Sequence, residues 1–101
     1  ASIRRHTDAN THDRDRILFA NPASETRDHL TVRISYDECK TWAVSKVLYV
    51  GPSAYSDMAI APDMSICCLY DRGANAPYES IHLAQFNLEW LSDGKDSLGT
   101  F

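Results

Sequence analysis

In the stretch GPSAYSDMA, residues 51 to 59, Tyr55 stands among small and polar residues where a buried strand would carry aliphatic side chains. A phenol so placed is either packing or a reactive group. As a nucleophile it would need a neighbouring base, because its ordinary pKa of about 10 keeps it protonated at neutral pH. Asp57, two residues further along an extended segment, is expected to share its face. It could tune such a site, although a bond to a backbone N–H is the simpler role. Arg27, 28 residues before Tyr55 in NPASETRDHL, carries a planar, permanently charged fork that meets a carboxylate through two parallel hydrogen bonds. Taken alone it reads as a solvated loop charge. Asp71 closes the stretch CLYD and, taken alone, is an acid at a strand end.

Other chemistries find little support. His6, His12, His29 and His82 lack ligand spacing, and no acidic cluster has the spacing of a calcium loop, so no metal site and no cofactor are expected. Cys39, Cys67 and Cys68 are odd in number and form no C-x-x-C motif; they read as small buried hydrophobes, with the adjacent pair facing opposite ways. A formal charge of −4 argues against nucleic acid as a partner. It leaves room for a small anionic ligand held by converging arginines. No apolar run approaches the roughly 20 residues that span a bilayer, and no secretion signal pattern is present.

The elements that must position these residues are strands. At 101 residues, with 44% hydrophobic and 24% charged side chains, the chain is at most one globular domain. In HLTVRISYD, Leu30, Val32 and Ile34 alternate with Thr31, Arg33 and Ser35. RILFANP is a short apolar run ended by an Asn-Pro turn signal. KVLYVGP is apolar on both faces, as in a strand covered on both sides, and is expected to stop at Gly-Pro. YSDMAIA and SICCLYD flank a turn at Pro62-Asp63 and form a hairpin, and RGANAP is a loop. ESIHLAQFNLEWL begins as a strand, although Leu83, Phe86 and Trp90 would also suit a helical face. Arg4, Arg5, Arg14, Arg16, His12 and Asp13 read as a charged, exposed loop region. The sum is about seven strands with short links and no crossover helix, an all-β antiparallel meander.

SYDECKTW, residues 35 to 42, fits the Asp-box pattern S-x-D-x-G-x-T-W, with Cys39 where glycine is usual. The physics of that pattern is local. Asp37 would accept hydrogen bonds from N–H groups of the turn, Thr41 would add its hydroxyl, and Trp42 would cover the hairpin base, with Ser35 at the strand end. These are structural roles. Taken with ILFANPASETR, GPSAYSDMA, CLYD and PYESI, the stretch resembles the C-terminal portion of a bacterial-type exo-α-sialidase, from Ser2 to about Leu91.

That resemblance implies the last one to two blades of a six-bladed β-propeller, with residues 1–101 as one C-terminal fragment of the propeller domain. It implies removal of terminal sialic acid from sialylated glycoconjugates with retention, without a cofactor, by a parent protein that is secreted or extracytoplasmic. Tyr55 falls at the nucleophile, a recognised exception to the carboxylate rule of retaining glycosidases. A neutral phenol approaches an anomeric carbon bearing a carboxylate without the repulsion an anion would meet. Arg27 matches the third arginine that grips the substrate carboxylate. Asp71 stands where a glutamate usually orients another of those arginines. Tyr70, Tyr78 and Glu79 lie in matching stretches and read as packing or loop-bonding residues.

The resemblance assigns the acid/base aspartate, the glutamate that activates the tyrosine and two arginines to other blades, so the isolated chain is expected to be inactive. Exposed blade edges are expected to favour self-association. The chain departs from the family pattern at Cys39 and Met64, which replace glycines, and at the shortened acid Asp71. Two other readings stand beside the enzyme fragment. One is a non-catalytic Asp-box propeller piece that binds glycans or proteins; the other is an independently folding β domain with a different role.

Overall fold

The computed structural model describes residues 2–10, 12–22, 28–72 and 80–98. Six strands follow in chain order: β1 (Ser2–Thr7), β2 (Arg16–Pro22), β3 (Asp28–Ser35), β4 (Val44–Ile60), β5 (Ile66–Arg72) and β6 (Ser80–Phe86), then a one-turn helix α1 (Leu88–Leu91). Each strand pairs antiparallel with the next. The long strand β4 belongs to two sheets. Its first part pairs with β3 and its second with β5, so β1 to β4 make one sheet and β4 to β6 the other.

The alternation read in β3 is the organising feature of the core. Leu30, Val32 and Ile34 are buried, and their partners across β2, Leu18 opposite Ile34 and Ala20 opposite Val32, share that face. Met58, Ile66, Cys68 and Tyr70 of the second sheet, with Leu88 and Leu91 of α1, complete one cluster between the sheets. Burying a side chain of this size contributes about 1.5–3 kcal/mol relative to leaving it in water. Asn87 caps the start of this single turn, its Oδ1 accepting from the Trp90 N–H at 2.8 Å, and the turn brings Leu88 and Leu91 inward.

Four expectations are corrected. The count is six described strands, because Gly51-Pro52 does not stop β4: Pro52 pairs with Asp28 and the strand continues for eight residues, Ser53 to Ile60. Pairing shifts place extra residues on β4 near Leu48, near Val50 and between Ser53 and Ser56, bulges that bend the strand from one sheet into the other. Lys46 to Pro52 is not covered on both sides, since Val50 is 63% exposed and Val47 is exposed too. Arg4 and Arg5 lie in β1 rather than in a loop, and Arg16 is buried. Of the cysteines, Cys68 is in the core, whereas Cys67 on the opposite face and Cys39 in a turn are only partly covered.

Cys39 and Met64 adopt positive φ, 70° and 71°, as glycine positions would. A left-handed backbone costs an L-residue roughly 1–2 kcal/mol, part of which the freer unfolded state of glycine takes back. Cys39→Gly and Met64→Gly are each expected to raise stability by about 1 kcal/mol. Urea unfolding should show a higher midpoint at unchanged slope.

Candidate functional site

Tyr55 lies in the bulge where Ser53 pairs with Arg72 but Ser56 pairs with Tyr70, leaving one extra residue on β4. A bulge re-aims side chains, and here the ring is 63% exposed while Ser53 and Met58 on either side point inward. Tyr55, Ser56, Asp57, Leu69, Tyr70, Asp71 and Ile81 line a shallow hollow of about 180 Å³. Asp57 shares the face of Tyr55, as its two-residue spacing suggested, and Leu69 stands opposite it on β5. Asp71, half-buried, pairs with Ile81 on β6. So three of the residues singled out, Tyr55, Asp57 and Asp71, meet in one hollow. Arg27, Tyr78 and Glu79 lie outside the described residues. Beneath the hollow, Tyr70 is core and its ring lies 6.3 Å from Tyr49 and 6.2 Å from His82. Packing is therefore its role.

The turn after β3 is held by Asp37. Its carboxylate accepts from the Thr41 N–H at 2.8 Å, the Thr41 hydroxyl at 2.5 Å and the Ser35 hydroxyl at 2.8 Å. The Ser35 oxygen in turn accepts from the Cys39 N–H at 2.9 Å. Trp42 packs at a tilt on Phe19, ring centroids 5.6 Å apart. The Thr41 hydroxyl, then its backbone N–H, hold the Asp37 carboxyl at about 2, below the ordinary 3.8. A depressed carboxylate stabilises the turn above its unfolded pKa and loses that effect as pH falls through the folded one. Protection of the Thr41 amide against hydrogen exchange is therefore expected to fall between about pH 4 and pH 2. In Asp37→Ala the protection should be low throughout.

No protein-family model matches the chain. A sialidase of Micromonospora viridifaciens is 42% identical over 76 residues, which cover 74% of this chain and 11% of the relative. Sialidase-4 of Homo sapiens is 34% identical over 80 residues, covering 71% of this chain and 16% of the relative. Sialidase-3 of Mus musculus is 30% identical over 76 residues, 70% of this chain and 18% of the relative. The chain belongs to the sialidase family. It spans less than a fifth of the length of these sialidases.

One group in this sialidase-type chain escaped the reading of the sequence. Arg16, fully buried at the start of β2, donates to Asp96 through Nε and Nη2, both at 2.9 Å. It also donates to Asp13 at 3.0 and 3.2 Å, to Thr7 Oγ1 at 3.1 Å and to the Ser97 carbonyl at 3.1 Å. Tyr36 donates a hydrogen bond from its hydroxyl to Asp96, and burial, reinforced by that bond, pushes the phenol up to about 12. The signal was the alternation itself, for Arg16 stands in phase with Leu18 and Ala20 on the inward face. No metal-ligating cluster of three or more His, Cys, Asp or Glu side chains occurs among the described residues. No described helix is long and apolar enough to cross a membrane.

Proposed function

We propose that this chain is the C-terminal part of an exo-α-sialidase propeller, in which Tyr55 attacks the anomeric carbon of a terminal sialic acid and the glycosidic bond is cleaved with retention. The observation that carries the reading is the placement of Tyr55: a tyrosine turned out of a strand by a bulge, beside Asp57 and Asp71, in a chain of sialidase type. A packing tyrosine would sit as Tyr70 does. In this reading Arg27 grips the substrate carboxylate by bidentate hydrogen bonds. The register supports it, since Asp28, next in sequence to Arg27, pairs with Pro52 only three residues before Tyr55. Asp71 orients a further arginine from elsewhere in the parent protein. Ser35, Asp37, Thr41 and Trp42 form an Asp-box that fixes the turn, the two sheets belong to the last blades of the propeller, and sialylated glycoconjugates are the substrates. The isolated chain is inactive, because one tyrosine and one arginine supply neither the base that activates the phenol nor the acid that protonates the leaving group.

The test is to incubate the parent protein with a difluorinated sialic acid, which traps a retaining sialidase at its nucleophile, and to map the adduct by peptide mass spectrometry. An adduct on Tyr55 is the expected result. A folded parent that binds sialosides yet forms no adduct would favour the scaffold reading, toward which the strained Cys39 and Met64 lean.

A further inference from the structure

His6 is a buried titratable group that the proposed chemistry does not use; it is 5% exposed. Its Nε2 lies 2.9 Å from the Met64 carbonyl oxygen. A carbonyl only accepts, so the proton of the neutral ring sits on Nε2 and Nδ1 is a bare acceptor. That Nδ1 is buried and has no hydrogen-bond partner. Met64 belongs to the turn joining β4 to β5, the hairpin that carries Tyr55. The face of β1 that presents His6 also sends Ser2 Oγ to Ser56 Oγ at 3.0 Å and Arg4 Nε to the Met58 carbonyl at 3.0 Å. Three side chains of one strand thus tie the first sheet to this hairpin. Of the three, His6 alone changes charge near neutral pH.

We propose that His6 is an acid-released latch, which when neutral clamps β1 onto the β4–β5 turn and when protonated frees that turn and loosens the hairpin bearing Tyr55. Protonation leaves the Nε2–H donor in place but turns Nδ1 into a buried donor with no acceptor and sets a charge near Arg16, so the ring is driven from its buried position and the Met64 contact goes with it. The charged groups around the ring come from several elements. Arg16 of β2 and His12 of the β1–β2 connection oppose its protonation, whereas Asp96, beyond α1, favours it. Arg4, on the same strand, is committed to the Met58 carbonyl, and Asp63, beside Met64, to the Ser65 N–H and hydroxyl. Burial is the largest influence and holds the ring below its ordinary 6.5, outweighing the Met64 carbonyl, whose hydrogen bond favours the protonated ring. The folded state thus prefers the neutral ring; the contact is intact above about pH 6.5 and weakens as pH falls from there toward the folded value.

The test needs no turnover, so its failure would leave the sialidase reading untouched. Long-range proton–nitrogen spectra of the 101-residue chain give the tautomer and titration of His6, and amide exchange at Ala61 and Met64 reports the turn. The expected result is an Nε2–H tautomer at about pH 8 and a midpoint below that of free histidine. Exchange, corrected for the intrinsic rate, should then be about tenfold faster near pH 5 than near pH 7. His6→Gln, whose amide still donates to Met64 without titrating, should reduce that ratio below about twofold. An Nδ1–H tautomer, a midpoint at or above that of free histidine, or an undiminished response in His6→Gln overturns the proposal. If His6→Gln fails to fold, the tautomer and midpoint of the unmodified chain decide it.

Discussion

Asp96→Ala is expected to lower the unfolding free energy by about 3–5 kcal/mol, the range for removing one partner of a buried ion pair. The Arg16 guanidinium would remain out of water with the partly exposed Asp13 as its one carboxylate partner. Tyr36 would lose its acceptor as well. The pair joins positions 80 residues apart and pins the segment after α1 to β2, so the loss should be global and cooperative. Set against a usual total of about 5–15 kcal/mol, it would leave the chain marginal. Urea unfolding of Asp96→Ala measures it, and a double variant with apolar groups of similar volume at both positions should recover most of the loss, because no charge is then stranded. The pH dependence points the same way. Burial pushes the Asp96 carboxyl up, but hydrogen bonds from Arg16 and Tyr36 outweigh it and hold the group below the ordinary carboxylate range. Its stabilising effect is therefore complete above about pH 4 and is lost as pH falls through the folded value. The acid limb of the stability curve should flatten in Asp96→Ala. A loss below about 1 kcal/mol would mean that the pair behaves as a solvated surface bridge.

The contrast between Arg16 and β3 shows what a sequence can and cannot reveal. In β3 the alternation of Leu30, Val32 and Ile34 with polar neighbours is a local pattern, and the pleat converts it directly into a buried face. Arg16 is in phase with the same face, but a charge is read as exposed unless its partner is known. The partner, Asp96, is set opposite it only by the return of the chain through α1. The Gly51-Pro52 stop failed for a related reason: bulges let β4 change sheets without ending, and register is a property of pairs of strands. Val50 is apolar yet exposed, and periodicity could not show it, since it records what a face prefers and not whether anything covers it. In the turns, the positive φ of Cys39 and Met64 was legible because a glycine pattern is a statement about backbone. Asp57 was legible beside Tyr55 through the two-residue period, which the bulge immediately before it leaves intact. The bulge that turns the ring outward was not.

That outward ring leads to the largest expected effect. In the intact parent protein, Tyr55→Phe is expected to lower kcat for an aryl sialoside on the order of 10³-fold or more, since the substitution deletes the oxygen that would form the covalent intermediate. Fold stability should hardly change, because the ring stands out of the core rather than within it. Separating those two outcomes identifies the role. A packing tyrosine would lose stability and keep its turnover per folded molecule; a nucleophile does the reverse. KM supplies a second axis. Asp71→Ala, which removes a carboxylate from the hollow without touching the attacking oxygen, is expected to act on substrate binding and raise KM at least as much as it lowers kcat. If Tyr55→Phe stays within about tenfold of the unmodified enzyme, the reacting oxygen belongs to another residue and the bulge at Tyr55 needs a different explanation. If turnover collapses while binding of an intact sialoside persists, the phenol is the group that reacts, and Asp57 and Asp71 are the neighbours whose charge must be balanced by arginines from the rest of the parent protein.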